Sequence, residues 1–283
     1  MNDARFGIST HLFHEQRLTR EHLRLIASHG FGAVEVFATR THFDYRSPPA
    51  IAALADWLRD TGLEFHSMHA PIVETLVRGR WIGALSNASS VESRRRAALD
   101  ESHAAIEVAR QVPFRYLVVH LGVPSTERVS SGDNDPDAAR RSVEDLVTMA
   151  GRVGVKVALE VIPNALAGAD ALGRLIESQL EGLNVGVCLD YGHAHLMGDL
   201  ADAIETLSGH IWTTHVHDND GEHDQHLVPF AGTIDWNAAL METQKIGYEG
   251  PLVLEVADTG DALDVLRRSA DARTRLQRGL VTL

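Results

Sequence analysis

Eight short apolar segments alternate with longer amphipathic segments along nearly the whole chain, and this alternation constrains the fold more than any other feature. The short segments resemble buried strands and cover residues 6–10, 33–37, 63–69, 116–120, 155–161, 185–190, 211–217 and 252–256. Apolar residues at three- and four-residue spacing predict helices over 21–28, 49–61, 93–109, 137–153, 169–179, 200–207, 237–246 and 261–280. Such alternation indicates parallel strands joined by crossover helices, and eight units predict an α/β fold, a single closed (β/α)8 barrel.

The length of the chain agrees with one domain. At 283 residues it is close to the size of such a barrel, about 250 residues, and no Pro- or Gly-rich linker divides it. We therefore expect a single domain over residues 1–283. Asp235 precedes the seventh predicted helix and is expected to cap it.

The longest connection, residues 71–93, joins the third and fourth predicted strands. A strand-to-helix connection of this length usually has a function, so we expect a loop over the barrel mouth. Residues 73–89 should be mobile without ligand and cover the site when ligand is bound. Cleavage at Arg78 and Arg80 should then depend on substrate.

The composition excludes several classes of protein. The formal net charge of −13 argues against a nucleic-acid partner, because Lys and Arg drive binding to phosphates. The sequence has no run of about 18 apolar residues and its first residues do not resemble a signal peptide, so we expect a cytoplasmic protein with no membrane partner. The single cysteine, Cys188, cannot form an internal disulfide. Self-association as a homo-oligomer remains open.

Six consecutive predicted strands end in a residue that can bind metal. These residues are His69, His120, Glu160, Asp190, His215 and Glu255. The carboxyl ends of parallel barrel strands form the active-site face, so the six side chains should meet at one mouth. A carboxylate buried in an apolar strand is costly unless it is paired with a cation, and few Lys or Arg residues lie nearby. The sequence therefore predicts a metal site.

Further polar residues follow the last strands. His193 lies three residues after Asp190, and Asp224 and His226 lie two apart in a turn-rich segment, so all three could reach the same mouth. His195 and His217 are expected to orient ligands rather than bind metal.

Two other residues of the predicted strands need an interpretation. Cys188 should lie one layer below Asp190 and pack in the core. Glu35 is an acid within an apolar strand, and it either contacts substrate or satisfies the polar interior of the barrel.

These motifs together resemble the xylose-isomerase-like TIM-barrel superfamily over nearly the whole chain. The motifs are MHAP with His69, VVHLG with His120, LEV with Glu160, CLDYGHAH with Asp190 and His193, HVHDN with His215, DQH with Asp224 and His226, GTIDW, and LEV with Glu255. They are typical of the superfamily and compatible with more than one reaction.

One branch contains sugar (phosphate) isomerases and epimerases. The resemblance implies one divalent metal, Mn, Zn, Mg or Co, on Glu160, Asp190, His215 and Glu255, with Glu160 and Glu255 as the catalytic residues that move protons between neighbouring carbons. Under this hypothesis His69, His120, His193 and Glu35 would contact a small polyhydroxy carbonyl substrate. One departure is that no arginine occurs between His215 and Phe230, where ketose epimerases place a substrate-binding one.

The other branch is similar to endonuclease IV and uses a three-zinc cluster. Its nine ligands match His69, His120, Glu160, Asp190, His193, His215, Asp224, His226 and Glu255. The acidic charge and the lack of loops rich in Arg and aromatic residues argue against DNA as the substrate.

Three hypotheses follow from the sequence. The leading one is a metal-dependent isomerase or epimerase of carbohydrate metabolism that works through an enediolate. The first alternative is a multinuclear zinc phosphodiesterase, and the second is a non-catalytic barrel that binds sugar or metal.

Overall fold

A closed barrel of eight parallel strands forms the centre of the protein. The computed structural model describes residues 3–77, 80–198 and 200–282. The strands in these ranges are β1 (Asp3–Ser9), β2 (Phe31–Phe37), β3 (Glu64–His69), β4 (Val73–Val77), β5 (Arg80–Ala84), β6 (Tyr116–Val119), β7 (Lys156–Glu160), β8 (Val185–Asp190), β9 (Ile211–Val216) and β10 (Leu252–Leu254). The barrel order is β1-β10-β9-β8-β7-β6-β3-β2, and β1 pairs with β2 to close it. The predicted (β/α)8 fold is confirmed.

Helices connect these strands along the chain. They are α1 (Arg20–Ser28), α2 (Pro48–Thr61), α3 (Glu92–Glu107), α4 (Pro136–Gly151), α5 (Ala169–Gln179), α6 (Tyr191–Met197), α7 (Leu200–Thr206), α8 (Trp236–Lys245) and α9 (Ala262–Thr282). Asp235 caps α8, since its carboxylate accepts hydrogen bonds from the backbone N–H groups of Asn237 and Ala238. No helix in the described ranges combines the length and apolar character needed to cross a bilayer.

The structure differs from the prediction in the connection over residues 71–93. The expected irregular loop contains an antiparallel hairpin, in which β4 pairs with β5 and Val73 lies opposite Ala84. The segments VETLV and RWIGA contain the β-branched and aromatic residues that favour strands, which explains the difference. Arg78 lies outside the described residues, and whether the hairpin covers the site stays a prediction.

The segment after Asp190 also differs. The sequence predicted one helix after β8, over 200–207, whereas the structure has two. The additional helix α6 begins at Tyr191, and the carboxylate of Asp190 accepts a hydrogen bond from the backbone N–H of His193. Asp190 is therefore both the last residue of β8 and the N-cap of α6. This double role brings His193 close to the barrel mouth.

Candidate metal centre

The carboxyl ends of the barrel strands surround a cavity of about 430 Å³. Its wall contains six of the predicted residues: His69, His120, His193, Asp224, His226 and Glu255. All six predicted strand-end residues lie at this mouth, because Glu160 belongs with His69 and His120 to one group and with Asp190, His215 and Glu255 to another. The structure thus brings the six together as the strand register predicted.

Glu160 lies at the centre of this arrangement and is fully buried. Its Oε1 is 3.1 Å from Nδ1 of His215, while its Oε2 lies 3.2 Å from Nε2 of His69 and 3.1 Å from Nε2 of His120. The Nδ1 of His69 lies 2.8 Å from the carbonyl oxygen of Ala70 and donates to it. The contact between Nε2 of His69 and the Glu160 carboxylate is therefore satisfied by a proton on Nε2 or, in a neutral His69, by a metal cation between the two. Burial opposes a charge on His69, but the Glu160 carboxylate outweighs it and raises the pKa of His69.

The potential ligands form three groups among the described residues, and within each group the ligand atoms lie within 4.8 Å of one another. The first is His69, His120 and Glu160; the second is Glu160, Asp190, His215 and Glu255; the third is His193, His217, Asp224 and His226. Glu160 is shared by the first two groups. All nine residues that match the endonuclease-like ligand set are therefore present in this arrangement.

Several carboxylate oxygens in these groups have no hydrogen-bond partner among the described residues. They are Oε2 of Glu160, Oδ2 of Asp190 and Oδ1 of Asp224, and each is buried. Their nearest neighbours are histidine nitrogens, which pair with them only when those nitrogens carry a proton. Leaving a charged oxygen buried without a partner costs about 1–3 kcal/mol or more. A divalent cation satisfies such oxygens and accepts imidazole and carboxylate ligands together. The residues present therefore fit a metal ion.

The pKa values of the histidines show the same demand for positive charge. Burial opposes a charge on His193, but the carboxylates of Asp190 and Asp224 outweigh it and raise its pKa to about 10. For His226, burial is likewise outweighed by Asp224, and its pKa rises to about 9. Burial acts against ionisation of Glu160, yet His215 and His120 lower its pKa well below the usual value. The site is built to hold cationic charge next to ionised carboxylates.

Glu35 lies beneath His215 and away from the cavity wall. Its Oε2 accepts hydrogen bonds from Nε2 of His215 at 3.0 Å and from the hydroxyl of Ser67 at 2.8 Å. These contacts fix the imidazole so that Nδ1 faces Glu160. Glu35 thus orients the imidazole of His215 and is not among the residues that line the cavity.

His217 and His195 were expected to act in the same way, but the structure separates them. His217 is fully buried and belongs to the third group, with its ring stacked on that of His226 at 3.9 Å between centroids. His195 instead contacts the hydroxyl of Thr233 at 2.9 Å and belongs to none of the three groups. Cys188, as predicted, is buried with Val118 and Ala158 below the mouth.

The sequence reasoning missed two histidines at the cavity. His11 and His14 follow β1, stack on each other at 4.5 Å, and both line the cavity wall. The ring of His11 lies 5.1 Å from that of His226, and its Nδ1 lies 3.2 Å from the carbonyl oxygen of Val256. The signal in the sequence was the pair of histidines in THLFH, directly after the first strand.

Asp218 was also missed, and it organises the segment that carries the third group. Its two oxygens accept hydrogen bonds from the backbone N–H groups of Asn219, Phe230 and Ile234 and from the indole N–H of Trp236. The signal in the sequence was the aspartate directly after His217 in HVHDN.

Comparisons with known proteins agree with this fold. Residues 23–276 match the family described as xylose isomerase-like TIM barrel. The uncharacterised protein MJ1311 of Methanocaldococcus jannaschii is 31% identical over 270 residues, which is 92% of this chain and 86% of that protein. A D-tagatose 3-epimerase-like protein of known structure superposes with a TM-score of 0.78 and 26% identity, covering 98% of this chain and 97% of that one.

The IolI protein, whose structure contains a zinc atom, superposes with a TM-score of 0.77 and 17% identity, covering 96% of this chain and 97% of that one. The resemblance that the motifs carried is confirmed, since the family match spans most of the chain. This protein belongs to the xylose isomerase-like TIM barrel family.

Proposed function

We propose that the protein is a divalent-metal-dependent isomerase or epimerase of a small polyhydroxy carbonyl compound, a sugar or sugar phosphate. The observation that carries this proposal is the second group, in which two glutamates approach the same ring nitrogen of one histidine. Nδ1 of His215 is 3.1 Å from Oε1 of Glu160 and 3.3 Å from Oε2 of Glu255. Two carboxylates so placed can serve one reacting centre as acid and base.

The two glutamates differ in access to the cavity. Glu255 lines the cavity wall, whereas Glu160 is fully buried between His69, His120 and His215. We therefore assign to Glu255 the removal of the proton from the substrate carbon. Glu160 would take the proton of the adjacent hydroxyl and return it to the neighbouring carbon, and Glu255 would then give its proton to the former carbonyl oxygen, so that both glutamates end ionised. When bound, a divalent cation would supply the Lewis acidity that polarises the substrate carbonyl and stabilises the enediolate.

The comparisons support this class of reaction. The D-tagatose 3-epimerase-like protein is a structural neighbour with 26% identity, and the cavity of about 430 Å³ in this protein has room for a compound of that kind. The zinc atom in the structure of IolI supports metal binding by this protein.

The proposal is tested by hydrogen exchange. Wild-type protein loaded with Mn²⁺ or Zn²⁺ and given ketoses or their phosphates in deuterated water should place deuterium on a carbon next to the carbonyl. Glu255→Gln keeps the shape and one oxygen ligand but removes the base, so turnover should fall by about 10²–10⁴-fold while metal stays partly bound. Mass spectrometry measures the exchange, and elemental analysis measures the metal.

Glu127→Gln is the matched control, because Glu127 lies at the cavity wall outside the three groups. It should keep turnover within a few-fold of wild type. Equal loss of turnover in both variants, or isomerisation by wild type with no deuterium uptake, would contradict proton transfer by these glutamates.

A second candidate function is a multinuclear metal phosphodiesterase. The observation that favours it is the presence of all nine ligand types in three adjoining groups that share or adjoin Glu160. Cleavage of a phosphodiester such as bis(4-nitrophenyl) phosphate, with no exchange of carbon-bound hydrogen in any sugar, would support this candidate over the isomerase.

A further inference from the structure

Two histidines of the cavity wall, His11 and His14, belong to none of the three ligand groups. His11 lies in a short 3-10 turn, Thr10–Phe13, directly after β1. The proposed reaction gives neither ring a role, although both line the same cavity as Glu255. Their contacts indicate what they bind.

The segment that carries these two rings is fixed by a buried histidine. Nδ1 of His42 donates a hydrogen bond to the carbonyl oxygen of Gln16, 2.6 Å away, and Nε2 of His42 lies 3.0 Å from the hydroxyl of Thr10. The same hydroxyl accepts a hydrogen bond from the backbone N–H of Phe37. One side chain thus holds both ends of residues 10–16, so the two rings are positioned before any ligand binds.

Both rings use the same nitrogen to bind the backbone. Nδ1 of His11 lies 3.2 Å from the carbonyl oxygen of Val256, and Nδ1 of His14 lies 2.5 Å from that of His11. A carbonyl oxygen only accepts hydrogen bonds, so Nδ1 carries a proton in each ring. Nε2 of each ring has no hydrogen-bond partner among the described residues and, unlike the unpaired oxygens of Glu160 and Asp190, neither nitrogen is buried. These nitrogens are therefore available to a molecule in the cavity.

His11 lies close to the proposed base. Val256 directly follows Glu255, so the hydrogen bond from Nδ1 ties the His11 ring to the chain just after this glutamate. The His11 ring also lies 5.1 Å from the ring of Phe37 and 5.1 Å from that of His226, between centroids. A substrate that reacts at Glu255 therefore lies beside the His11 ring.

The charge on this side of the cavity restricts what His11 can hold. Glu15 and Asp258 belong to the two connections that carry His11 and its partner carbonyl, and both line the wall. No Lys or Arg among the side chains that the structure describes lines the cavity. A phosphate group would be repelled by these carboxylates, whereas a sugar hydroxyl is neutral. A hydroxyl both donates and accepts, so it pairs with Nε2 whether or not this nitrogen carries a proton.

From these contacts we propose that the substrate is an uncharged sugar without a phosphate group, and that one of its hydroxyls forms a hydrogen bond with Nε2 of His11. This inference rests on the proposed function, because it takes Glu255 as the base that acts on the same molecule. His11 then orients the carbon chain of the sugar toward Glu255. His14, stacked on His11 at 4.5 Å, offers a second nitrogen beside it.

The first test uses two substitutions of His11 in the full chain loaded with metal. His11→Asn keeps an amide near the position of Nδ1 but has no atom at the position of Nε2, whereas the longer side chain of His11→Gln places an amide there. For the free ketose that wild type prefers, His11→Asn should raise KM about 10-fold with kcat within a few-fold, and His11→Gln should restore most of that loss. His103→Asn, at an exposed histidine of α3 away from the cavity, is the control and should match wild type.

Monodeoxy derivatives of the same ketose identify the hydroxyl that His11 holds. Wild type should turn over one of them about 10-fold less efficiently because the hydrogen bond is lost, and His11→Asn should not distinguish that derivative from the parent ketose. A merely structural role of His11 would leave this discrimination unchanged.

Wild type alone tests the absence of a phosphate group. In deuterated water it should exchange a carbon-bound hydrogen of free ketoses with a kcat/KM at least about 100-fold higher than that for their phosphates, since like charges would otherwise face each other at the wall. A preference for any ketose phosphate over its free sugar would overturn the proposal.

Binding of sugar alcohols separates this inference from the proposed reaction. D-Glucitol, galactitol and xylitol have no carbonyl group and cannot isomerise. Calorimetry should show that at least one of them binds to metal-loaded wild type, and about 10-fold more weakly to His11→Asn. If it does so while no free or phosphorylated ketose exchanges hydrogen, the proposed reaction is wrong and the contact with His11 stands.

Three other results would overturn the contact with His11. One is a His11→Asn variant whose KM and affinity for the sugar alcohol stay within about twofold of wild type. Another is a His11→Gln variant that is as impaired as His11→Asn, because the position of Nε2 would then not matter. The third is a wild-type protein that binds no sugar alcohol and no free ketose.

Discussion

Two layers of side chains inside the barrel differ in how their polar groups are satisfied. The upper layer, at the strand ends, contains Glu160, Asp190 and His215. The lower layer lies two residues earlier on the same strands and contains Val118, Ala158, Cys188 and Thr213, with His66 reaching across from β3. In the lower layer His66 bonds to the hydroxyl of Thr213 at 2.9 Å. In the upper layer buried oxygens of Glu160 and Asp190 have no hydrogen-bond partner among the described residues.

This difference separates the residues that stabilise the fold from those that serve its site. Apolar packing in the lower layer stabilises the barrel without help from a ligand. The upper layer keeps carboxylates buried at a cost that is offset either by protonated histidines beside them or by a bound cation. Cys188 and Asp190 lie two residues apart on one strand, yet Cys188 stabilises the fold, whereas Asp190 serves the site at a cost in stability.

The sharpest test of the contrast compares Glu160→Gln with Cys188→Ala, since these residues are register partners on β7 and β8. Glu160→Gln should lower turnover by about 10²–10⁴-fold and reduce metal content, because two ligand groups share this carboxylate. Cys188→Ala should leave both within a few-fold and instead lower the free energy of unfolding by about 1 kcal/mol. Steady-state kinetics, elemental analysis and urea unfolding give the three quantities. Similar losses of activity in both variants would remove the distinction.

The upper layer could be predicted from the sequence because its residues follow a local rule. His69, Glu160, Asp190 and His215 each stand at the carboxyl end of an apolar strand, and strand polarity alone places them at one mouth. The register of adjacent strands agrees, with Asp190 opposite His215.

Other parts of the site depend on contacts between distant segments. His11 reaches His226 only because β1 pairs with β10 when the barrel closes. The place of His217 depends on the absence of a side chain at Gly192, and no periodicity in the sequence reports that. The hairpin formed by β4 and β5 was missed because its segments were too short to distinguish from an ordered loop.

A substitution of Glu35 tests whether a buried carboxylate below the cavity controls the metal affinity of the upper layer. Glu35→Gln keeps the size of the side chain but exchanges the acceptor of His215 Nε2–H for a neutral amide. We expect metal affinity of the second group to fall by about 10–100-fold, with turnover restored at saturating metal. Ser67→Ala, which removes only the hydroxyl donor to Glu35, should have a smaller effect. A Glu35→Gln variant with reduced turnover at saturating metal and unchanged affinity would indicate direct contact with substrate instead.

The smallest expected effect concerns pH. The contributions of His66, in the lower layer, and of His193, at the mouth, to the stability of the fold should depend on pH in opposite ways. Burial lowers the pKa of His66 to about 4, so its contribution to stability is present above pH 6.5 and is lost as the pH falls toward 4. Without metal, Asp190 and Asp224 overcome burial and raise the pKa of His193 to about 10, so its contribution is present below pH 6.5 and is lost as the pH rises toward 10.

Metal binding should remove the alkaline part of this profile, because a bound cation replaces the proton on the histidines of the upper region. The increase in unfolding midpoint caused by Zn²⁺ should therefore grow between pH 6 and 9, as protons cease to compete for the imidazoles. His66→Gln should flatten the acid side of the profile and leave this metal-dependent increase unchanged, since His66 contacts none of the three ligand groups. Scanning fluorimetry with and without chelator across this pH range measures both slopes. If the rise in unfolding midpoint caused by Zn²⁺ did not depend on pH, the histidines of the mouth would release no protons when metal binds. The upper and lower layers would then not differ in how their charges are satisfied.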